Sequence, residues 1–186
     1  INQEELRYWV VRLGGGGRYV DVLKSKNQIA IGWEDLGDLS WLLTEEKETE
    51  ELWQQLRKLY ERTYKESSVA VGINCGQVWN FVNEIEEGDV ILIPTPQREV
   101  LIGEVIGSYR YKRNWNDGCY YPHRREMKWL KEVKRDDLPE SLKSSMNAHL
   151  TVFNIDKHET VIEQMLEKRK KKKKLKSRGV SGDKLV

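Results

Sequence analysis

Short runs of β-forming apolar residues alternate along this chain with stretches of helical periodicity, and the two patterns place most of its elements. Residues 8–12 (YWVVR) form an apolar run that ends at four consecutive glycines, Gly14, Gly15, Gly16 and Gly17, which reads as a buried strand running into a flexible loop. Residues 28–33 (QIAIGW) read as a second strand. Between positions 44 and 64, Leu52, Leu56 and Leu59 recur at helical spacing with Trp53 and Tyr60 alongside, behind an acidic first turn, so an amphipathic helix is expected. A second helix is expected over 76–85, where Val78, Phe81, Val82 and Ile85 share a face and Gly88-Asp89 stops it. Residues 90–93 and 100–105 read as a hairpin across Pro94-Thr95-Pro96, because proline punctuates strands and favours turns. Two more strands are expected at 127–133 and 150–155, with a short helical stretch after Leu138-Pro139 between them. From Asp156 the pattern becomes one long charged helix that loses its apolar face after Leu166. Strands outnumber helices and their order is mixed, which predicts an α+β domain whose curved or barrel-like mixed sheet is flanked by helices.

Length and composition add the domain organisation. With 186 residues and 38% hydrophobic content, the chain suffices for one core and an appendage. Residues 1–166 are expected to form the domain, and 167–186 a basic tail leading to an effector domain outside this sequence. No stretch approaches the ~20 apolar residues of a membrane helix, and residues 1–12 lack the apolar centre of a signal peptide, so a soluble, cytoplasmic protein with no membrane partner is expected. Cys75 and Cys119 are too few for a disulfide framework or a thiolate metal cage and read as free thiols.

Net charge is +2, yet residues 168–178 (KRKKKKKLKSR) alone carry nine positive charges and leave an acidic remainder. Within that remainder, residues 107–135 reverse the sign: Arg110, Lys112, Arg113, Arg124, Arg125, Lys128, Lys131, Lys134 and Arg135 stand against Asp117, Glu126 and Glu132. The segment is a candidate phosphate-binding surface, with Arg110, Lys112, Arg113, Arg124, Arg125 and Lys128 as its contacts. The competing reading is a solvated basic face.

Catalytic chemistry finds no foothold in the sequence. No Gly-Lys-Ser/Thr follows the four glycines and no helix pattern begins there, so the phosphate-loop motif is not met. His123, His149 and His158 lie on different elements without metal-ligand companions, and neither a nucleophile elbow nor a nuclease-type acidic constellation is present. No metal, no cofactor and no catalytic residue is expected. The aromatic content is more informative: seven Trp and eight Tyr against two Phe favour rings with a polar handle, as interfaces do. Trp9, Trp53, Trp79 and Trp129 fall within strand or helix patterns and are assigned to the core. Trp115 lies in a loop-forming stretch, Asn114-Trp-Asn-Asp-Gly118, amid Tyr109, Tyr111, Tyr120, Tyr121 and basic residues, where stacking on a nucleobase competes with simple burial. Trp33, after Gly32 at a strand end, is a second candidate with a stronger core alternative.

The order of residues 8–12 (YWVVR), 29–33 (IAIGW), 102–105 (IGEV) and 127–133 (MKWLKEV) resembles the YTH domain, a relative of EVE and PUA-like domains. Residues 32–39 and Pro122-His-Arg-Arg125 are similar to N-terminal DNA-binding domains of McrB-type GTPases and Mrr-type restriction proteins. The resemblance spans roughly residues 7–155. It implies a module that flips a methylated base, 6-methyladenine foremost, into an aromatic cage. Methylated duplex DNA and an attached or associated motor or nuclease would be its partners, and the domain itself would not be an enzyme. Carried over, Trp33 matches one cage wall, Trp115 and either Tyr120 or Tyr121 match the others, and either Tyr19 or Asp21 matches the polar residue reading the base edge. The four glycines depart from the family's loop. A reader of methylated RNA and a peptide-docking module are the alternatives.

Overall fold

The computed structural model describes residues 5–167. Its seven strands are β1 (Tyr8–Val11), β2 (Gln28–Ile31), β3 (Val90–Pro94), β4 (Glu99–Val105), β5 (Arg110–Tyr111), β6 (His123–Lys134) and β7 (Val152–Asn154). They form one mixed sheet in the order β2-β6-β4-β3-β1-β7, with β5 added alongside β6. Only the β1–β3 pairing is parallel among the described strands. Five helices surround it: α1 (Val20–Ser25), α2 (Thr49–Thr63), α3 (Ser68–Trp79), α4 (Glu140–Met146) and α5 (Glu159–Met165). The expected α+β class and curved mixed sheet are observed.

The central strands are apolar throughout because both faces of the sheet are covered. Along β1, Trp9 and Val11 enter one hydrophobic cluster, while Tyr8 and Val10 enter another. The alternation repeats in β3, with Ile91 and Ile93 against Val90 and Leu92, and in β4, with Leu101 and Val105 against Val100 and Ile102. Leu52, Leu56 and Tyr60 of α2 and Val71, Cys75 and Val78 of α3 close the first cluster, whereas Leu142 and Met146 of α4 and Ile162 of α5 close the second.

Curvature comes from β6, which has twelve residues and two sets of partners. Its first part pairs with β2 and β5, and its second part with β4, across an irregularity at Ile102/Gly103. Gly103 lets β6 side chains lie across β4: a Cβ there would stand 2.7 Å from the Trp129 ring and 2.9 Å from the Met127 methyl. Gly103→Ala is therefore expected to destabilise the domain by about 1–3 kcal/mol through overpacking, read as a lower urea midpoint. An unchanged midpoint would mean that Trp129 moves aside freely.

Several boundaries differ from the sequence expectation. Helix α3 begins at Ser68, eight residues before the expected start, capped by the Ser67 hydroxyl accepting from the Ala70 N–H, and continues into a π-helical turn, Asn80–Glu84. Val69 and Ile73 are exposed on it, so apolar residues face both ways and the periodicity blurs. Helix α2 starts at Thr49, later than position 44, and β6 starts at His123, earlier than 127. The expectation that no helix follows the glycines is corrected, since the six-residue α1 begins directly after them. The charged C-terminal helix is seen as a 3-10 turn, Asp156–His158, followed by α5; its expected continuation and the basic tail lie outside the described residues. No helix among the described residues is long and apolar enough to cross a membrane.

Candidate nucleic-acid interface

The end of β2 carries the most constrained aromatic residue. Trp33 adopts a left-handed backbone, φ 52°, a conformation that costs a non-glycine residue roughly 1–2 kcal/mol and persists where surrounding contacts enforce it. Its carbonyl faces His123 Nε2 at 3.2 Å, while His123 Nδ1 lies 2.6 Å from the Tyr109 hydroxyl. Because a carbonyl only accepts, Nε2 carries the proton, Nδ1 accepts from Tyr109, and the Tyr109 oxygen takes the Leu39 N–H at 3.1 Å. This relay fastens both ends of the segment from Trp33 to Leu39 to the sheet. The indole is fixed as well: its N–H donates to the Tyr60 hydroxyl at 3.3 Å, which in turn donates to Glu66 at 2.9 Å, and Asn74 donates to the same carboxylate oxygen. Burial is the main cause of the raised Tyr60 pKa, so the hydroxyl stays protonated and available as a donor.

Full burial lowers the His123 pKa from 6.5 to about 4, so the ring is neutral at physiological pH, as the relay requires. A histidine depressed in the folded state contributes stability that is fully present above its unfolded pKa. Between pH 6.5 and about 4 the unfolded chain takes up the proton and the folded chain does not. Stability is expected to fall by up to about 3 kcal/mol across that window, measured by urea unfolding against pH. His123→Gln should flatten that segment of the profile; an unchanged slope would assign the loss to other groups.

An aromatic pair packs on Gly32, next to Trp33 in the chain. The Tyr121 ring covers Gly32, so that a Cβ at Gly32 would meet it at 3.2 Å. Tyr19 stands edge-on to Tyr121, with ring centroids 4.8 Å apart and planes at 72°. Tyr19 and Tyr121, two of the residues chosen from sequence, thus pack together on Gly32, the residue before Trp33. Asp21 lies exposed in the first turn of α1, and Tyr120 is 75% exposed.

Trp115 belongs to a different cluster. Its indole N–H donates to the Pro122 carbonyl at 3.0 Å, and no ring contact joins it to Trp33, Tyr19 or Tyr121 among the described residues. Four cations surround it instead: Arg124 at 4.5 Å from the ring centre, Lys112 at 4.6 Å, Arg110 at 5.4 Å and Lys26 at 5.9 Å. Arg110 also pairs with Glu126, and Lys26 with Asp117, both at 2.8 Å. Lys112, Arg113 and Lys128 are exposed; Lys112 and Arg113 enter none of the ion pairs among the described residues, and Lys128 stands opposite Glu104 across the β4–β6 pairing.

The phosphate contacts expected at Arg124 and Arg125 are corrected, because both side chains point inward. Arg124 is wholly buried, donating to Asp117, Gln28, and the carbonyls of Tyr121 and Cys119. It holds the Asp117 carboxyl well below its ordinary range, helped by Lys26. Arg125 donates to the carbonyls of Gly107, Phe81 and Ile85, and burial lowers its pKa to about 10. Both charges stabilise the loop and the π-helical turn from within; sequence alone cannot tell such a basic residue from a surface one. The residues that hold Trp33 in place, His123 and Tyr60, were not singled out for that role from sequence. Residues 123–134 (HRREMKWLKEVK) carry charge along their whole length, so nothing in the sequence set His123 apart as part of a buried relay.

An open depression of about 490 Å³ lies elsewhere, lined by Arg12 and residues 147–151. The Arg12 guanidinium already serves the Met146, Ala148 and Leu150 carbonyls there, and no predicted site residue lines it. Among the described residues no group of three or more His, Cys, Asp or Glu side chains is arranged to hold a metal ion.

Fold and site define an α+β domain with an aromatic corner at a sheet end and a cation-ringed tryptophan beside it. The chain belongs to the family described as Domain of unknown function (DUF8426), whose profile matches residues 9–156. No curated protein matches it. Among solved structures it is similar to the YTH domain of the MRB1 protein of Zygosaccharomyces rouxii in complex with N6-methyladenosine RNA, at 10% identity over 87% of each chain, TM-score 0.41. It is also similar to protein Atu2648 from Agrobacterium tumefaciens, at 12% identity over 82% of this chain and 89% of that one, TM-score 0.33. Likenesses of this size carry no functional argument.

Proposed function

We propose that this domain reads a modified base in nucleic acid, 6-methyladenine in duplex DNA foremost, by receiving the flipped base against Trp33, with Tyr121 and Tyr19 beside it. The supporting observation is the immobilised Trp33: its strained backbone and both polar ends of the residue are tied down, and its ring is only partly buried at a corner rich in other rings. A methyl on the exocyclic nitrogen keeps one N–H for hydrogen bonding and adds apolar surface, which a ring contact rewards. One methyl in such a pocket is worth about 1–3 kcal/mol, and extracting the base from a duplex costs a few kcal/mol. Phosphate contacts must therefore provide most of the affinity, and the exposed Lys112, Arg113 and Lys128 suit that role. Trp115, ringed by cations, would stack a neighbouring base. In this reading the domain binds without catalysing, as the specificity element of an McrB-type or Mrr-type modification-dependent restriction system. A motor or nuclease, attached or associated, would perform the cleavage.

The test is a titration series with duplexes carrying 6-methyladenine, 5-methylcytosine or no modification, and with methylated RNA as competitor. The expected result is tightest binding to the 6-methyladenine duplex, weakening steeply with salt. Preference for RNA would redirect the reading to a methylated transcript, and salt-insensitive binding of a peptide would replace it.

A further inference from the structure

Arg18 stands at the aromatic corner on a loop shaped to hold it. Gly14, Gly16 and Gly17 have φ values of 86°, 64° and 74°, all in the region that disfavours other residues. A Cβ at Gly14 would stand 2.9 Å from both Arg18 Cγ and Tyr19 Cδ2, so these two side chains fold back across the loop only because position 14 has none. Gly17 seats the loop on the β3–β4 turn, where its Cβ would meet Pro96 at 3.0 Å. The Arg18 guanidinium lies 4.8 Å over the Tyr19 ring, and Tyr121, edge-on to that ring, is the main cause of its raised pKa. It is exposed, and unlike Arg110, Lys26 and Arg124 it pairs with no carboxylate among the described residues. A guanidinium laid over a ring and free of carboxylates keeps its donors in a planar fork that matches a phosphate.

We propose that Arg18 is the phosphodiester clamp of this corner, contacting the backbone phosphate beside the base lodged against Trp33 and Tyr121, and that the glycine loop serves to place it. The proposal rests on the nucleic-acid reading above. Its test compares wild type, Arg18→Gln, Arg18→Lys and Gly14→Ala in binding to modified and unmodified duplexes from about 50 to 200 mM salt. Arg18→Gln, a change at an exposed side chain, is expected to weaken binding to both duplexes alike and to reduce the slope of log K against log salt by about one, leaving their ratio unchanged. Arg18→Lys should retain the slope, and Gly14→Ala should reproduce the glutamine variant's signature by displacing the guanidinium. A wild-type slope in Arg18→Gln overturns the clamp while leaving the reading of the site intact. A collapsed ratio overturns it too, since Arg18 would then contact the base. Salt-insensitive binding, or no binding, by the wild-type domain removes both proposals.

Discussion

Trp33→Ala is expected to erase the preference for the modified duplex, by about tenfold or more, while the domain remains folded. The loss follows from the proposed place of this partly buried ring against the flipped base. Folding should survive for three reasons found in the contacts. The bond between the Trp33 carbonyl and His123 belongs to the backbone and is untouched, Tyr60 keeps its hydrogen bond to Glu66, and the ring is only partly buried. Alanine inherits the same left-handed strain as tryptophan, so backbone energy does not confound the comparison; Trp33→Gly, which relieves the strain, should bind as poorly as alanine and be somewhat more stable. Isothermal titration with both duplexes, next to a thermal melt, reads all of this. Retained discrimination in a folded Trp33→Ala variant would return the ring to the core. Trp115→Ala, by contrast, should weaken binding to both duplexes without changing their ratio, since its contacts are cations and not the rings around Gly32.

Arg124→Leu should be the most damaging single change, lowering stability by roughly 3–5 kcal/mol because it breaks a buried ion pair from one side. Asp117, whose side chain is 8% exposed, would be left with Lys26 alone, while the Tyr121 and Cys119 carbonyls and the Gln28 amide oxygen lose their donor. These are the groups that shape the loop bearing Trp115 and Tyr121, so binding should fail along with stability. The Arg98–Asp136 pair is the control: both side chains are more than 70% exposed, and Arg98→Ala should cost less than about 1 kcal/mol. Urea unfolding of the two variants compares them directly. Equal, small effects would mean that the Arg124 network is replaceable by water.

The strands were legible because their two-sided burial leaves uninterrupted apolar runs such as residues 90–93, and the hairpin because proline marked its turn. Tyr19 and Tyr121, each nominated from sequence beside an alternative, Asp21 and Tyr120, are in contact in the fold on the residue before Trp33. The direction of charged side chains escaped. Arg124 and Arg125 sit beside Arg110 and Lys112 in the same basic segment, but pairing with β2 turns one toward Asp117 and the other toward the π-helical turn. Composition cannot register that difference, because the carbonyls that receive Arg125 come from distant segments and those that receive Arg124 depend on how the preceding loop folds back. The glycine loop escaped for a similar reason: its purpose lies in the neighbouring side chains it accommodates, which no phosphate-loop pattern describes.

The central claim is that a methylated base leaves its stack and meets Trp33. The most direct measurement places an isotopically labelled methyl on the adenine N6 of a duplex and follows its NMR resonance as the domain binds. A base received at the aromatic corner moves the methyl protons strongly upfield through ring currents in the wild-type complex, and the shift disappears with Trp33→Ala. A methyl resonance that keeps its free-duplex position while the duplex is bound would contradict the account.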